Sequence, residues 1–175
     1  MSKQHDSAVA FVSGVSEDPT DTGGLTSLTR ELARVEEANL AFYEAFTHLD
    51  VDRMAGVWSP SPHARCVHPG WELVVGWQEI RQSWTEIFRT IDAIEFELED
   101  VHVEVAGRSA WVNLVAHVRI VTEEGDAFAA SVVTTNIFEH FDGQWRMILH
   151  QSSNFSEEGD DDEDGGGEDE PDFSN

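Results

Sequence analysis

Long stretches of alternating apolar and polar residues in the second half of the chain constrain the fold more than any other feature. Ile94, Phe96 and Leu98 alternate with glutamates, and the alternation resumes at Val101 with its phase shifted by one residue. Successive side chains of a β-strand point to opposite faces, so this pattern predicts a long strand. The phase shift predicts a β-bulge near Asp100.

Turn sequences divide the rest of this region into further strands. A glycine-containing turn at 106–108 predicts a hairpin, and Asp142-Gly143 is the strongest hairpin signal in the chain. The strands predicted between these turns lie at about 109–122, 127–141 and 145–153. The region therefore predicts an antiparallel meander.

The first half of the chain has apolar residues at helical spacing. A stripe at intervals of three and four predicts an amphipathic helix of about six turns that begins near Thr26 or Ser27. Its members are Leu28, Leu32, Val35, Asn39, Phe42, Phe46 and Leu49. Asp50 can cap a short second helix, and the spacing from Trp77 to about Thr90 predicts a third.

These elements predict one α+β domain over residues 25–155. Residues 64–75 show a broken β pattern between the second and third helices. Residues 1–24 have no sustained period and are predicted to be a flexible leader. The segment 157–172 has eleven acidic residues and no basic one, so residues 156–175 are predicted to be a disordered acidic tail.

Composition excludes several classes of partner. The formal net charge is −25, and a surface this negative repels phosphate backbones and anionic headgroups, so we expect neither nucleic acid nor membrane as a partner. Cys66 is the only cysteine, which excludes an internal disulfide and fits a reducing compartment. The apolar run at 8–12 is too short for a signal-peptide core, so we expect a cytoplasmic location.

Several short motifs follow these elements in order. They are Asp50-Val51-Asp52, Val67-His68-Pro69-Gly70-Trp71, Gly76-Trp77, Ser83-Trp84, Ala110-Trp111-Val112, Thr135-Asn136-Ile137-Phe138, and Asp142-Gly143-Gln144-Trp145-Arg146 running to His150 and Ser152. Taken together, they resemble the SnoaL-like branch of the cone-shaped nuclear-transport-factor-2-like (NTF2-like) fold. The resemblance implies three N-terminal helices packed on a curled antiparallel sheet, a conical pocket, and a homodimer through the outer sheet face.

The resemblance implies no single activity. Ketosteroid isomerases, polyketide cyclases and dehydratases share this fold, and so do transport adaptors and kinase association domains that catalyse nothing. Three functions therefore stay open. The first is a dimeric domain that binds a small apolar or aromatic molecule. The others are an enzyme of isomerase, cyclase or dehydratase type and a non-catalytic association module.

His68 is the sharpest functional signal. It precedes Pro69, and the steroid isomerases have at the matching position an Asp-Pro whose carboxylate is the general base, so the resemblance implies a catalytic group that moves protons near neutral pH. The alternative is a structural histidine at a strand end. Steroid isomerisation is not favoured, because the helix-one tyrosine of those enzymes falls on Phe42, with Tyr43 one step off the face, and no Asp lies within 127–141.

Other aromatic and polar residues are candidate ligand-binding residues. They are Asn39, Tyr43, Trp71, Trp84, Trp111, His117 and His150. The tryptophans either line an aromatic pocket or form ordinary core. His117 lies on the more polar face of its strand, which either a pocket or a dimer interface can use. For His150 a structural hydrogen bond is favoured over catalysis.

No metal or cofactor is predicted. His63, Cys66 and His68 offer three possible metal ligands, but a fourth ligand at suitable spacing is absent from the sequence. The sequence also has no glycine-rich phosphate cradle and no G-x-S-x-G motif. Nucleotide binding and serine hydrolysis are therefore not expected.

Overall fold

The computed structural model describes residues 22–154. Its helices are α1 (Thr22–Thr47), α2 (Val51–Val57) and α3 (Trp77–Phe88). Its strands are β1 (Arg65–Val67), β2 (Val74–Val75), β3 (Ile91–Ala106), β4 (Ser109–Thr122), β5 (Ala127–Phe141) and β6 (Gln144–Asn154). The chain is helical from residue 22, so the predicted leader boundary at 24 is too late. The rest of the predicted leader and the predicted acidic tail lie outside the described residues.

The strands of this region form a six-stranded sheet in the order β2-β1-β6-β5-β4-β3. Strands β3 to β6 form the predicted antiparallel meander. One pairing differs from the expected antiparallel sheet, because β1 lies parallel to β6, with Cys66 opposite His150. Because the two strands run in the same direction, the loop after β1 begins beside the C-terminal part of β6, beyond Gln151.

Two irregularities shape the long strands. The register of β3 against β4 shifts between Glu99 and His102, and Asp100 has a φ of 49°, which confirms the predicted bulge. A second shift, between Ile137 and Phe138 in the pairing of β5 with β6, was not predicted. Met147 and His150 are three residues apart on β6, so strict alternation would put them on opposite faces of the sheet. The extra residue at the bulge puts both on the same buried face.

Local sequence accounts for the turns and caps. Asp142 and Gly143 have φ values of 46° and 79°, and two successive positive values are what a two-residue hairpin turn of the predicted kind requires. The Asp50 carboxylate accepts hydrogen bonds from the backbone N–H groups of Asp52 and Arg53, each at 2.9 Å. This cap begins α2 as predicted, and it fixes the direction in which the chain leaves α1.

The helices cover one face of the sheet. On β4, Val112, Leu114 and Ala116 are buried on this inner face, whereas the intervening residues lie on the outer face and are partly exposed. The largest fully buried side chains of the core are Trp58, Trp84, Phe42 and Phe138. Among residues 22–154, no helix combines the length and apolar character that a bilayer crossing needs.

Candidate functional site

A cavity of about 180 Å³ lies between the helices and the inner face of the sheet, and we call it the helix–sheet cavity. Helices α1 and α3 contribute the aromatic rings of Phe42, Tyr43, Phe46 and Trp84. The strands contribute, among others, Phe96, Ala116, Val118, Thr134, His150 and Ser152. His68, Pro69 and Trp71 line it from the loop after β1. Within residues 22–154, no Asp, Glu, Lys or Arg lines it.

His68 is held in this lining by polar and aromatic contacts. Its Nε2 lies 2.9 Å from Ser83 Oγ on α3, and its ring meets Trp84 edge-to-face at a centroid distance of 4.6 Å. The ring of Trp71 lies on another side at 5.0 Å. Burial lowers the pKa of His68 to about 4, because a buried imidazolium loses its hydration. At neutral pH the ring is therefore uncharged.

His150 is the second histidine of the cavity, with its ring centroid 6.4 Å from that of His68. Its Nδ1 lies 2.7 Å from Asn136 Oδ1, and its Nε2 lies 3.1 Å from Ser152 Oγ. Burial, and then the neighbouring His68, lower the pKa of His150 to about 3. At neutral pH, both histidines thus line the cavity as uncharged hydrogen-bonding groups.

Further hydrogen bonds extend the contacts of His150 into a buried row across the sheet. Asn136 Nδ2 donates to Asn39 Oδ1 on α1 at 2.8 Å. At the other end, Thr134 Oγ1 and Ser152 Oγ are 2.8 Å apart. We call the set Asn39, Asn136, His150, Ser152 and Thr134 the polar row. The row ties α1 to β5 and β6, and each of its members has at least one partner within it.

Two buried donors beside the cavity lack a partner. The hydroxyl of Tyr43 and the indole Nε1 of Trp84 form no hydrogen bond within the described chain. Burial raises the pKa of Tyr43 to about 12, against a smaller opposing effect of Thr134 and Asn136. Those two side chains therefore lie near the hydroxyl without meeting hydrogen-bond geometry. The tyrosine is a neutral donor at physiological pH.

Cys66 lies beside His68, but its thiol is not activated as a nucleophile. Its Sγ is 3.6 Å from His68 Nε2, and the residue is fully buried. Burial raises the pKa of the Cys66 thiol, so the nucleophilic thiolate is not populated at neutral pH. Within residues 22–154, no three His, Cys, Asp or Glu side chains are grouped closely enough to hold a metal ion.

The structure brings five of the predicted site residues together in the cavity lining: Tyr43, His68, Trp71, Trp84 and His150. Asn39 lies one step away, in the polar row. The structure corrects the other two positions. Trp111 and His117 project to the outer face because their neighbours on β4 face inward. There His117 contacts Ser131 at 2.8 Å and Glu99 at 3.2 Å, so neither residue lines the cavity.

The sequence prediction did not include four polar residues of this region among the candidate site residues: Ser83, Thr134, Asn136 and Ser152. A signal for two of them was present, since Thr134 and Asn136 fall at alternate positions on the face that also carries Val132 and Phe138. Two polar residues in an otherwise apolar buried face indicate a hydrogen-bonded cluster. Nothing in the sequence alone linked Ser83 to His68.

A larger groove, of about 450 Å³, lies on the other side of α1, against α2 and the β5–β6 hairpin. It is lined by Arg34, Arg53 and Arg146 together with Glu37 and Glu44. Two of these arginines pair with acidic residues of their own helix region, Arg34 with Glu31 and Arg53 with Asp50. We regard it as a solvated cleft, and the smaller helix–sheet cavity as the candidate site.

Comparison with known proteins identifies the family. Residues 35–156 match the model of the SnoaL-like domain. The F-box protein SKIP8 of Arabidopsis thaliana is 30% identical over 115 residues, which are 66% of this chain and 47% of that protein. The chain thus spans about half the length of this curated relative.

Solved structures show the same fold. A proposed dehydratase of the NTF2-like family from Streptomyces avermitilis is 28% identical, with a TM-score of 0.69 over 73% of this chain and 99% of that one. A nuclear transport factor 2 (NTF2-like) superfamily protein from Salmonella enterica has a TM-score of 0.68 at 15% identity, covering 79% of this chain and 98% of that one. Three helices on a six-stranded sheet therefore form an NTF2-like fold here.

Proposed function

The chain belongs to the SnoaL-like domain family, and on that premise we propose that its helix–sheet cavity binds a small, uncharged apolar or aromatic molecule. The observation that carries this proposal is the lining itself. Aromatic and aliphatic side chains surround the space, and a few neutral polar groups, with His68 foremost, converge on it. Apolar walls with a small number of placed polar groups are typical of small-molecule sites.

The volume of the cavity limits the size of the ligand. At about 180 Å³, it is smaller than pockets that take drug-sized molecules. An apolar cavity of roughly 150 Å³ in another protein is large enough for benzene. A molecule with one ring, or an aliphatic chain of similar bulk, therefore fits the space without rearrangement.

The electrostatics of the lining limit the charge of the ligand. In the part of the chain that the structure describes, no Asp, Glu, Lys or Arg side chain lines the cavity, and both lining histidines are neutral because burial lowers their pKa values. A bound carboxylate or ammonium group would lose its hydration without gaining a counter-ion, which is costly. We therefore expect uncharged ligands to be favoured.

Ligand-observed NMR with toluene and benzoate tests this proposal. We expect toluene to bind and benzoate to bind far more weakly. Ala116 is buried in the lining, so Ala116→Leu should fill the cavity and abolish toluene binding. Ala129 is exposed on the neighbouring strand, and Ala129→Leu is the matched control. Equal toluene binding by both variants would locate the ligand elsewhere.

A second candidate function is proton-transfer catalysis of the isomerase, cyclase or dehydratase type. The observation in its favour is that His68, an uncharged imidazole at neutral pH, lies in the cavity lining, and the 28% identical relative from Streptomyces avermitilis is a proposed dehydratase. Such a base would act in its unprotonated form. A rate that falls on acidification with the pKa of His68 would support this function over binding alone.

We also propose that the protein is a homodimer through the outer sheet face. The helices leave this face uncovered, and Val133 near its centre is 46% exposed. On the paired strands, Val115 lies opposite Val133 and Trp111 opposite Ile137, and these two apolar pairs flank the polar pair Asn113 and Thr135. A protomer rarely leaves such a surface open to water.

A further inference from the structure

We infer that Ser83 holds His68 in the tautomer protonated on Nε2, which leaves Nδ1 as the hydrogen-bond acceptor for a donor group on the ligand. Ser83 is thus a positioning residue, and the ligand class narrows to uncharged molecules that carry a hydroxyl or similar donor. The part that concerns the ligand rests on the proposed function. The part that concerns the tautomer stands on hydrogen-bond geometry and on the burial that keeps the His68 ring neutral.

The backbone carbonyl of Ile80 fixes the direction of these hydrogen bonds. Ser83 Oγ lies 2.8 Å from this carbonyl oxygen, which can only accept, so the single hydroxyl hydrogen of Ser83 is donated there. The same Oγ lies 2.9 Å from His68 Nε2. With its hydrogen already used, Ser83 can only accept at this second contact. His68 must therefore donate from Nε2–H.

A neutral imidazole carries one ring hydrogen, so His68 Nδ1 has a free lone pair. Among residues 22–154, the polar atom within hydrogen-bonding range of Nδ1 is Cys66 Sγ, at 3.9 Å. That distance is at the limit even for sulfur, and a thiol is a weak donor. Nδ1 therefore has no strong partner from the described chain, although the residue is only 3% exposed.

His150 differs from His68 in this respect. Its Nδ1 donates to Asn136 Oδ1, and its Nε2 then accepts from the Ser152 hydroxyl. Both nitrogens are thus occupied within the polar row. Of the two histidines in the cavity lining, only His68 offers an acceptor to a bound molecule. A buried acceptor without a strong partner favours a ligand that supplies a better donor.

Nitrogen NMR of protein labelled with ¹⁵N-histidine tests the tautomer directly. In the wild type at neutral pH, we expect Nε2 of His68 to show the shift of a protonated nitrogen and Nδ1 that of an unprotonated one, with His68→Gln used to assign the signals. Ser83→Ala should lower the ratio of the Nε2–H to the Nδ1–H form by roughly twofold to tenfold. Ser83→Thr, which keeps the hydroxyl, should restore it.

Thr85→Ala is the matched control. Thr85 lies on the same helix, and its hydroxyl donates to the Arg81 carbonyl at 2.8 Å. This variant loses the same kind of side-chain to backbone bond without touching His68, so the tautomer should stay unchanged. An Nδ1–H form in the wild type, or an unchanged ratio in Ser83→Ala, would overturn the inference whatever binds in the cavity.

The ligand class is tested with phenol and anisole, which differ in the hydroxyl donor. We expect the wild type and Thr85→Ala to bind phenol roughly twofold to tenfold more tightly than anisole, and Ser83→Ala to lose this preference. Equal affinities in the wild type would refute the role of Nδ1 as ligand acceptor while leaving the cavity a binding site. Absence of binding by phenol, anisole and toluene would refute the proposed function, and the tautomer result would still decide the role of Ser83.

Discussion

Acidification should destabilise this protein through the buried histidines His68 and His150, and the size of the effect follows from their pKa values. In the unfolded chain each histidine titrates near 6.5, whereas burial lowers the folded value to about 4 for His68 and about 3 for His150. Below pH 6.5 the unfolded state therefore binds more protons than the folded state. The stability contributed by each neutral histidine is fully present above pH 6.5 and is lost as the pH falls toward the folded pKa.

The magnitude for His68 is about 3 kcal/mol at pH 4, since each unit of pKa difference corresponds to about 1.4 kcal/mol. His150 loses stability in the same direction, but the two contributions do not simply add, because the neighbouring His68 is itself one cause of the low pKa of His150. Typical domains have total stabilities of about 5 to 15 kcal/mol. The loss through His68 at pH 4 is therefore a substantial fraction of a typical total stability.

Urea unfolding of the wild type and His68→Gln between pH 7 and pH 4 isolates the contribution of His68. Glutamine does not titrate, so the wild type should lose about 3 kcal/mol more than the variant over this range. The carboxylates titrate in both proteins and cancel in the difference. His63→Gln removes an exposed histidine and should follow the wild-type curve. Parallel curves for wild type and His68→Gln would refute the claim that the imidazole is buried and neutral.

Three further predictions concern other parts of the molecule. Truncation after residue 155 should leave the melting temperature unchanged, or raise it at low salt, because the removed carboxylates repel one another; a large fall in a thermal melt would contradict this. Light scattering after size exclusion should show a dimer, and Val133→Glu should convert it to monomer, whereas a monomeric wild type at micromolar concentration would refute the proposed interface. Tyr43→Phe should leave the free energy of unfolding unchanged or raise it by up to about 1 kcal/mol, because its buried hydroxyl is unpaired; a loss of more than about 1 kcal/mol in urea unfolding would indicate a bond to Thr134 or Asn136.

Local patterns predicted the long strands well, because alternation and turn sequences depend only on residues that are close together in the chain. The strands predicted at 109–122 and 127–141 have those bounds in the structure. The parallel pairing of β1 with β6 joins residues about 84 apart, Cys66 with His150 among them, and no local period reports such a contact. The unpredicted shift opposite Ile137 has the same cause, since it depends on the partner strand.

The site was partly predictable for a similar reason. His68 was identified from its position before Pro69 and from the resemblance, and the structure places it in the lining of the helix–sheet cavity. Alternation along β4 puts Trp111 and His117 on one face of the sheet and their neighbours on the other. It does not show which of the two faces the helices cover, so the sequence could not exclude these two residues from the site. Ser83 reaches His68 across 15 residues of sequence, and only the packing of α3 against the loop after β1 brings them together.

The polar row should contribute to stability as a unit, and Asn136 is the residue that tests it. Asn136 joins Asn39 and His150 at 2.8 Å and 2.7 Å, so Asn136→Leu leaves two buried groups without their partner. Each such group costs about 1 to 3 kcal/mol, and we expect urea unfolding to show a loss of about 2 to 5 kcal/mol. Gln82→Leu is the control, because Gln82 Nε2 makes one comparable bond, to Glu86 Oε1 at 3.0 Å, on the exposed face of α3. It should cost less than about 1.5 kcal/mol, since water can replace the lost partner there. Equal losses of unfolding free energy in the two variants would mean that each hydrogen bond of the polar row contributes no more than an exposed one. In that case apolar packing alone would hold α1 on the sheet.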